Sequence, residues 1–170
     1  MKSTCPGCGV ALPDLGGPTH EYIESSPACW AIYGEVLARE YSDITYRAVH
    51  RLTVDTYAVQ HPGGDSPQAI QSVGAHLVSM YLMLELGYSS SRATAVLKAA
   101  VEAGGFEHLE RPAHSGELTV AHVARASTAM EHIERVHEWS TSVWNAWSAH
   151  HALVKAWAAQ AIAPRTRSRV

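Results

Sequence analysis

The amino-acid sequence predicts an all-α fold, a helical bundle that carries a loop-built zinc knuckle at its N-terminus. Apolar residues recur at helical spacing from residue 28 onward, helix-capping pairs punctuate the chain, and no segment alternates as a strand does. With 170 residues the chain can build one hydrophobic core. We therefore predict a single helical domain over residues 1–163, made of a Cys-rich knuckle (1–27) and helices (28–163). A basic tail over 164–170 is expected to be disordered.

Helix boundaries follow from capping residues, prolines and glycines. A serine followed by a proline, which is typical of an N-cap and the first helical position, occurs at Ser26 and at Ser66. Glycines follow the last apolar position of other segments, as expected for helix ends. These signals predict helices over about residues 28–41, 44–60, 67–86 and 89–103, and two or three more between 119 and 162. The second and third should pack as a hairpin, because few residues join them.

Three cysteines form the strongest candidate site. Cys5 and Cys8 belong to a CPGCG turn, and Cys29 lies in the first turn of the first predicted helix, where the helix dipole favours a thiolate. Zinc takes four sulfur or nitrogen ligands, and a CxxC pair supplies two of them from one turn. His20 lies in the same loop and is the predicted fourth ligand, which gives the spacing C-x2-C-x11-H-x8-C.

The same cysteines have other interpretations. The CxxC could be a redox pair, but a redox CxxC usually opens a helix after a strand, and no strand is predicted before this one. The cysteines could also be inert small residues of the core. If His20 is not the fourth ligand, a distant histidine or a water molecule takes its place, and a water would make the site open and potentially catalytic.

The chain contains eleven histidines, a residue type that binds divalent metals and titrates near neutral pH. In the predicted hairpin His50 lies level with His76, so their imidazoles can begin a second divalent-metal site. Its third ligand would be His132 or His150, which share a predicted buried stripe with Trp139 near the C-terminus. The alternative is that each histidine is half-buried and hydrogen-bonded to a carbonyl or hydroxyl group.

A polar segment near the end of the second helix supplies candidate catalytic groups. Asp55 and Tyr57 could transfer protons beside a metal-bound water. Gln60 and His61 add polar groups to the same neighbourhood, and their alternative role is to end the helix before the following proline. Asp55 is also well placed to pair with Arg51 at i+4.

Composition excludes several classes of function. The formal net charge is −3, and the basic and acidic residues are mixed, so there is no basic field for nucleic acid. The N-terminus lacks the apolar stretch of a signal peptide, and the longest apolar run is too short for a membrane span. We expect a cytoplasmic protein that binds neither nucleic acid nor membrane, with a small molecule as the candidate partner.

The assembled motifs resemble those of an uncharacterised bacterial family, domain of unknown function 5946. Its CPxCG opening, SPxCW segment, DxYAxQHP stretch and following HL pair all have counterparts here. The resemblance covers nearly the whole chain and implies no activity. It implies that Asp55, Tyr57, Gln60, His61 and His76 belong to one set of site residues.

Two functional hypotheses follow. In the first, the protein is a zinc-binding helical protein whose Cys3His knuckle is structural. A second, His-lined site then holds a divalent metal for hydrolytic or related chemistry on a small molecule. In the second, the protein is a non-catalytic, zinc-stabilised binding or adaptor domain. Its histidines and tryptophans then fill an interior that has a single phenylalanine.

Overall fold

The structure, a computed structural model, describes residues 1–163. The basic tail predicted over 164–170 lies outside the described residues. The described part forms one small antiparallel sheet and seven α-helices. The strands are β1 (Lys2–Thr4) and β2 (Ala11–Pro13), and the helices are α1 (Pro27–Ser42), α2 (His50–Gln60), α3 (Pro67–Leu84), α4 (Ser90–Ala103), α5 (Val120–Ala124), α6 (Ala129–Ala146) and α7 (His151–Ile162). The all-α prediction is confirmed.

The serine–proline pairs begin helices as the sequence indicates. The Oγ of Ser26 accepts a hydrogen bond from the N–H of Cys29 (3.2 Å), and the Oγ of Ser66 accepts one from Ala69 (3.2 Å). Each serine thus satisfies a free amide in the first turn of its helix. At the C-terminal end of α4, Gly104 takes a φ of +68°, which residues other than glycine rarely adopt. The helix therefore stops at the glycine.

Two segments differ from the sequence prediction. The second helix begins at His50 and not near residue 44, because Asp43 accepts hydrogen bonds from the N–H and the hydroxyl of Thr45 (2.9 and 2.7 Å). This local turn competes with the helix. The knuckle also contains the β1–β2 hairpin, in which Thr4 pairs with Ala11. Strands of three residues are too short to show an alternating pattern.

Helix α2 lies at the centre of the bundle. It packs against α3 and α6, while α3 also packs against α4 and α7, and α1 packs against α5. The predicted contact between the second and third helices is therefore confirmed. Two indole N–H groups fix α2 to the C-terminal part of the chain. Trp139 donates to the side-chain oxygen of Gln60 (2.9 Å), and Trp147 donates to the carbonyl of Val59 (3.2 Å).

The C-terminal region contains three helices, at the upper end of the predicted number. Its buried stripe includes His132, Trp139 and Trp147, and the chain then turns through a short 3-10 segment, Ser148–His150. Because of that turn His150 is only half-buried, and its Nε2 donates to the carbonyl of Glu110 (2.7 Å). None of the helices within residues 1–163 is long and apolar enough to cross a bilayer.

Candidate metal centre

The β1–β2 hairpin holds the first two cysteines. The N–H of Cys5 donates to the carbonyl of Val10 (2.9 Å), and the N–H of Gly9 donates back to the carbonyl of Cys5 (2.9 Å). Gly9 adopts a φ of +76°, which allows the chain to reverse directly after Cys8. The turn thereby directs the Cys5 and Cys8 sulfurs toward the helices.

The third cysteine comes from the start of α1. Its position follows from the Ser26 cap, and Ser26 also donates its own N–H to the Sγ of Cys5 (3.4 Å). The Sγ atoms of Cys8 and Cys29 lie 3.8 Å apart. The start of α1 therefore supplies the Cys29 sulfur and holds the Cys5 sulfur through the amide of Ser26.

The fourth donor is His61, which directly follows the last residue of α2. Its Nδ1–H donates to the carbonyl of Tyr57 (2.8 Å), so in the neutral ring the Nε2 carries a free electron pair. This Nε2 lies 3.4 Å from the Sγ of Cys29. A ring oriented by a backbone carbonyl through one nitrogen, with the other nitrogen free, is typical of metal-binding histidines.

These distances fit a tetrahedral ion. The donor atoms of Cys5, Cys8, Cys29 and His61 all lie within 4.8 Å of one another, and no other such group occurs in residues 1–163. With metal–sulfur bonds of about 2.3 Å and metal–nitrogen bonds of about 2.0 Å, a tetrahedron has edges of about 3.8 Å between sulfurs and about 3.5 Å between sulfur and nitrogen. The two observed distances, 3.8 and 3.4 Å, agree with these edges.

The three sulfurs lie so close together that they shift one another's pKa values in opposite directions. Hydrogen bonds from Cys29 and then from Cys8 hold the pKa of Cys5 well below its usual range. The hydrogen bond with Cys29 lowers the pKa of Cys8, but the Cys5 thiolate and burial raise it to about 11. The Cys5 thiolate, followed by Cys8 and burial, raises the pKa of Cys29. A cation is therefore needed before all three can ionise together.

The fourth donor in the structure is His61 and not His20. The Nδ1 of His20 accepts a hydrogen bond from the N–H of Tyr22 (3.1 Å), and its ring packs beside Trp30 at 5.9 Å. His61 reaches the cysteines because its backbone carbonyl accepts a bond from the N–H of Glu24 (3.1 Å). Proximity in the chain favoured His20, whereas the end of α2 brings His61 to the site.

The comparisons with known proteins agree with the motifs. A model of a family of unknown function, DUF5946, matches residues 3–148. The chain belongs to this family. The matched range contains all four donors of the metal centre. No similar protein is found among the curated proteins or the solved structures.

A tyrosine completes the surroundings of the metal centre in this family member. The hydroxyl of Tyr57 donates to the Sγ of Cys29 (3.6 Å), and its ring stacks between Tyr33 (3.8 Å) and His61 (4.0 Å). Burial raises the pKa of this phenol. Tyr57 is therefore placed to support two donors of the group, not to exchange protons near neutral pH.

Gln60 connects the metal centre to a distant loop. Its side-chain N–H group donates to the carbonyls of Ser115 (2.9 Å) and Leu118 (2.7 Å). The Oγ of Ser115 donates to the carbonyl of Gly7 (2.7 Å), and Arg111 donates to the carbonyls of Pro6 (2.6 Å) and Gly7 (2.7 Å). The sequence predicts a polar connection here but no contact between it and the site. The polar side chains of Arg111 and Ser115, between α4 and α5, were the only signal in the sequence for this contact.

The predicted pair His50 and His76 is divided between two buried carboxylates. His50 donates its Nδ1–H to Glu40 (2.8 Å), and His76 donates its Nδ1–H to Asp55 (2.7 Å). The α2 residue that contacts Glu40 is Thr53, whose hydroxyl donates to the carboxylate (2.6 Å). Asp55 follows Thr53 by two residues, so the two side chains leave the helix about 160° apart around its axis. The two histidines thus belong to networks on opposite faces of α2.

Each carboxylate has further partners. Glu40 accepts a hydrogen bond from the Nε2–H of His132 (2.8 Å), and both residues are completely buried. Asp55 accepts bonds from Ser79 (2.5 Å) and from Arg51 (3.1 Å), which confirms the predicted pairing at i+4. The sequence analysis did not single out Glu40. A glutamate on the buried face of a helix was its only signal.

Proposed function

We propose that the protein binds one zinc ion at Cys5, Cys8, Cys29 and His61, and that the ion has a structural role. The observation that carries the proposal is the tetrahedral spacing of the four donors. Three sulfurs and one imidazole nitrogen form a donor set that zinc prefers over magnesium or calcium. A site in which the protein supplies all four ligands leaves no position for a reacting water.

The ion would join three parts of the chain that are far apart in sequence. The hairpin supplies Cys5 and Cys8, the start of α1 supplies Cys29, and the end of α2 supplies His61. Bound zinc neutralises the thiolates and adds its binding free energy to the folded state. Val10, Leu12 and Ile23 of the N-terminal segment pack against the core but are only partly buried, so we expect zinc to contribute much of its attachment.

Of the two functional hypotheses, we favour the non-catalytic binding or adaptor domain. His50 and His76 each donate to a different carboxylate, so they support two structural networks better than one metal-dependent hydrolase site. We also propose a cytoplasmic location, because three free cysteines suit a reducing compartment.

The primary test is metal content by elemental analysis. We expect one zinc per chain in the wild type and in His20→Ala, and loss of zinc in His61→Ala and Cys8→Ser. The two histidine variants form a matched pair, because each removes one imidazole near the same cysteines. Full zinc content in His61→Ala, with loss in His20→Ala, would refute the assignment.

A second test addresses the enzymatic hypothesis. We expect the double variant His50→Ala, His76→Ala to retain the same single zinc as the wild type. A wild-type protein that holds two equivalents, one of which is lost in the double variant, would instead support a second metal site and metal-dependent chemistry.

A further inference from the structure

A long open groove runs along the outer face of α6. Its volume is about 1300 Å³, and its walls are α6 on one side and the 112–118 loop on the other. On α6 it extends from Glu134 to Ala146, which at about 1.5 Å per residue is about 18 Å. Binding sites for drug-sized molecules measure about 300–1000 Å³. The groove therefore has room for an extended chain of about five residues, at about 3.3 Å each.

Apart from its histidines, the ionisable side chains of the groove are all acidic. Glu117, Glu134 and Glu138 line it, and no lysine or arginine of the described residues does. The carboxylate of Glu138 pairs with His122 at 2.9 Å. Those of Glu117 and Glu134 have no ion-pair or hydrogen-bond partner within residues 1–163. A cationic ligand would meet two unpaired carboxylates there and neither lysine nor arginine; the other titratable groups in the lining are the histidines His114, His122 and His137.

Apolar and hydrogen-bonding groups line the same groove as these carboxylates. Leu118 and Ala146 supply apolar surface, and Asn145 supplies amide donor and acceptor groups. This combination of charged, apolar and hydrogen-bonding groups matches a peptide better than a small cation, which would leave the apolar surface uncovered.

The loop wall of the groove is held by the metal centre. Ser115 and Leu118 accept hydrogen bonds from Gln60, the neighbour of the donor His61, and Ser115 donates to Gly7, between the donors Cys5 and Cys8. The other side of the wall contacts α6 closely. A Cβ atom at Gly116 would lie 3.0 Å from the Oγ of Ser142, and that Oγ accepts a hydrogen bond from the N–H of Glu117 (2.8 Å). The width of the groove thus depends on both attachments.

We propose that this groove, the α6 groove, binds a basic peptide segment of a partner protein, and that the metal centre holds its loop wall in position. The coupling to the metal rests on the function proposed above. Recognition of a basic peptide does not rest on that function, because it depends only on the carboxylates of the groove. The two parts can therefore fail separately.

The first experiment measures binding of a fluorescein-labelled hexapeptide of alternating arginine and leucine to the zinc-loaded full chain by fluorescence anisotropy. We expect saturable binding, and no binding of the same peptide with glutamate in place of arginine. The variant Glu117→Gln, Glu134→Gln should bind about tenfold more weakly, because it loses the two carboxylates that have no partner in the protein. The matched control Glu35→Gln, Glu107→Gln changes the net charge equally outside the groove and should bind as the wild type does.

Three results would overturn the peptide site. They are the absence of saturable binding, equal weakening in the groove variant and its control, and displacement of the peptide by a linear tetraamine of equal affinity. The last result would assign the groove to small cations.

The second experiment tests whether peptide binding depends on the attachment of the loop wall to the metal centre. The variant Arg111→Ala, Ser115→Ala should retain one zinc per chain and bind the basic peptide several-fold more weakly. Wild-type peptide affinity in this variant would overturn the coupling. A wild-type chain that binds the peptide but no zinc would refute the metal assignment and leave the charge recognition intact.

Discussion

Gly7 provides the sharpest test of the metal centre, because this glycine lies directly against the ring of His61. A Cβ atom at residue 7 would lie 2.2 Å from the Cδ2 of His61 and 2.6 Å from the carbonyl oxygen of Glu24. Carbon atoms in contact normally lie about 3.5–4.0 Å apart. Gly7 does not have a positive φ, so its backbone would accept alanine without strain. The substitution Gly7→Ala therefore acts through the His61 contact and the Glu24 carbonyl.

We expect Gly7→Ala to displace the His61 ring from the three sulfurs. Overpacking of this kind costs about 1–3 kcal/mol, which corresponds to a loss of zinc affinity of about 5- to 150-fold. The affinity is measured by competition with a chromophoric chelator. Gly16→Ala is the matched control, because no atom lies within 4 Å of a Cβ at that position. Wild-type zinc affinity in Gly7→Ala would refute the placement of His61 in the metal centre.

Three further predictions concern the pH dependence of zinc affinity, the contribution of zinc to the Tm, and the contribution of the buried carboxylate of Glu40 to stability. Zinc affinity should rise with pH by about two log units per pH unit between about pH 7 and 8, because the raised pKa values of Cys8 and Cys29 keep both thiols protonated until zinc displaces two protons. Isothermal titrations at several pH values check this slope, and a pH-independent affinity would contradict it. Removal of zinc by a chelator should lower the Tm by about 8–16 °C, since zinc at a thousand times its Kd contributes about 4 kcal/mol. Calorimetry with and without the chelator measures the shift, and an unchanged Tm would argue against a structural ion. Glu40→Ala should destabilise the protein by about 3–5 kcal/mol in urea unfolding, because it removes the acceptor of His50 and of the fully buried His132. Glu35→Ala, on the exposed face of the same helix, should unfold as the wild type does.

Local chemistry explains why much of the fold could be predicted. Ser26 and Ser66 cap helices through their own side chains, and these bonds reach only three residues along the chain. The same local rules place Cys5 and Cys8 in one turn and Cys29 at a helix start. The three sulfurs of the metal centre could thus be identified from sequence, whereas the short β1–β2 hairpin could not, because its strands are only three residues long.

By itself, the sequence determined the all-α class, the starts of α1 and α3, and the three cysteine donors. Only the tertiary structure decided which imidazole joins them, because His61 lies 32 residues from Cys29 in the chain and approaches it through the end of α2. It also decided that His132, which is 92 residues from Glu40, shares a buried carboxylate with His50. Periodicity and capping report on one helix at a time, while these contacts depend on how several helices pack together.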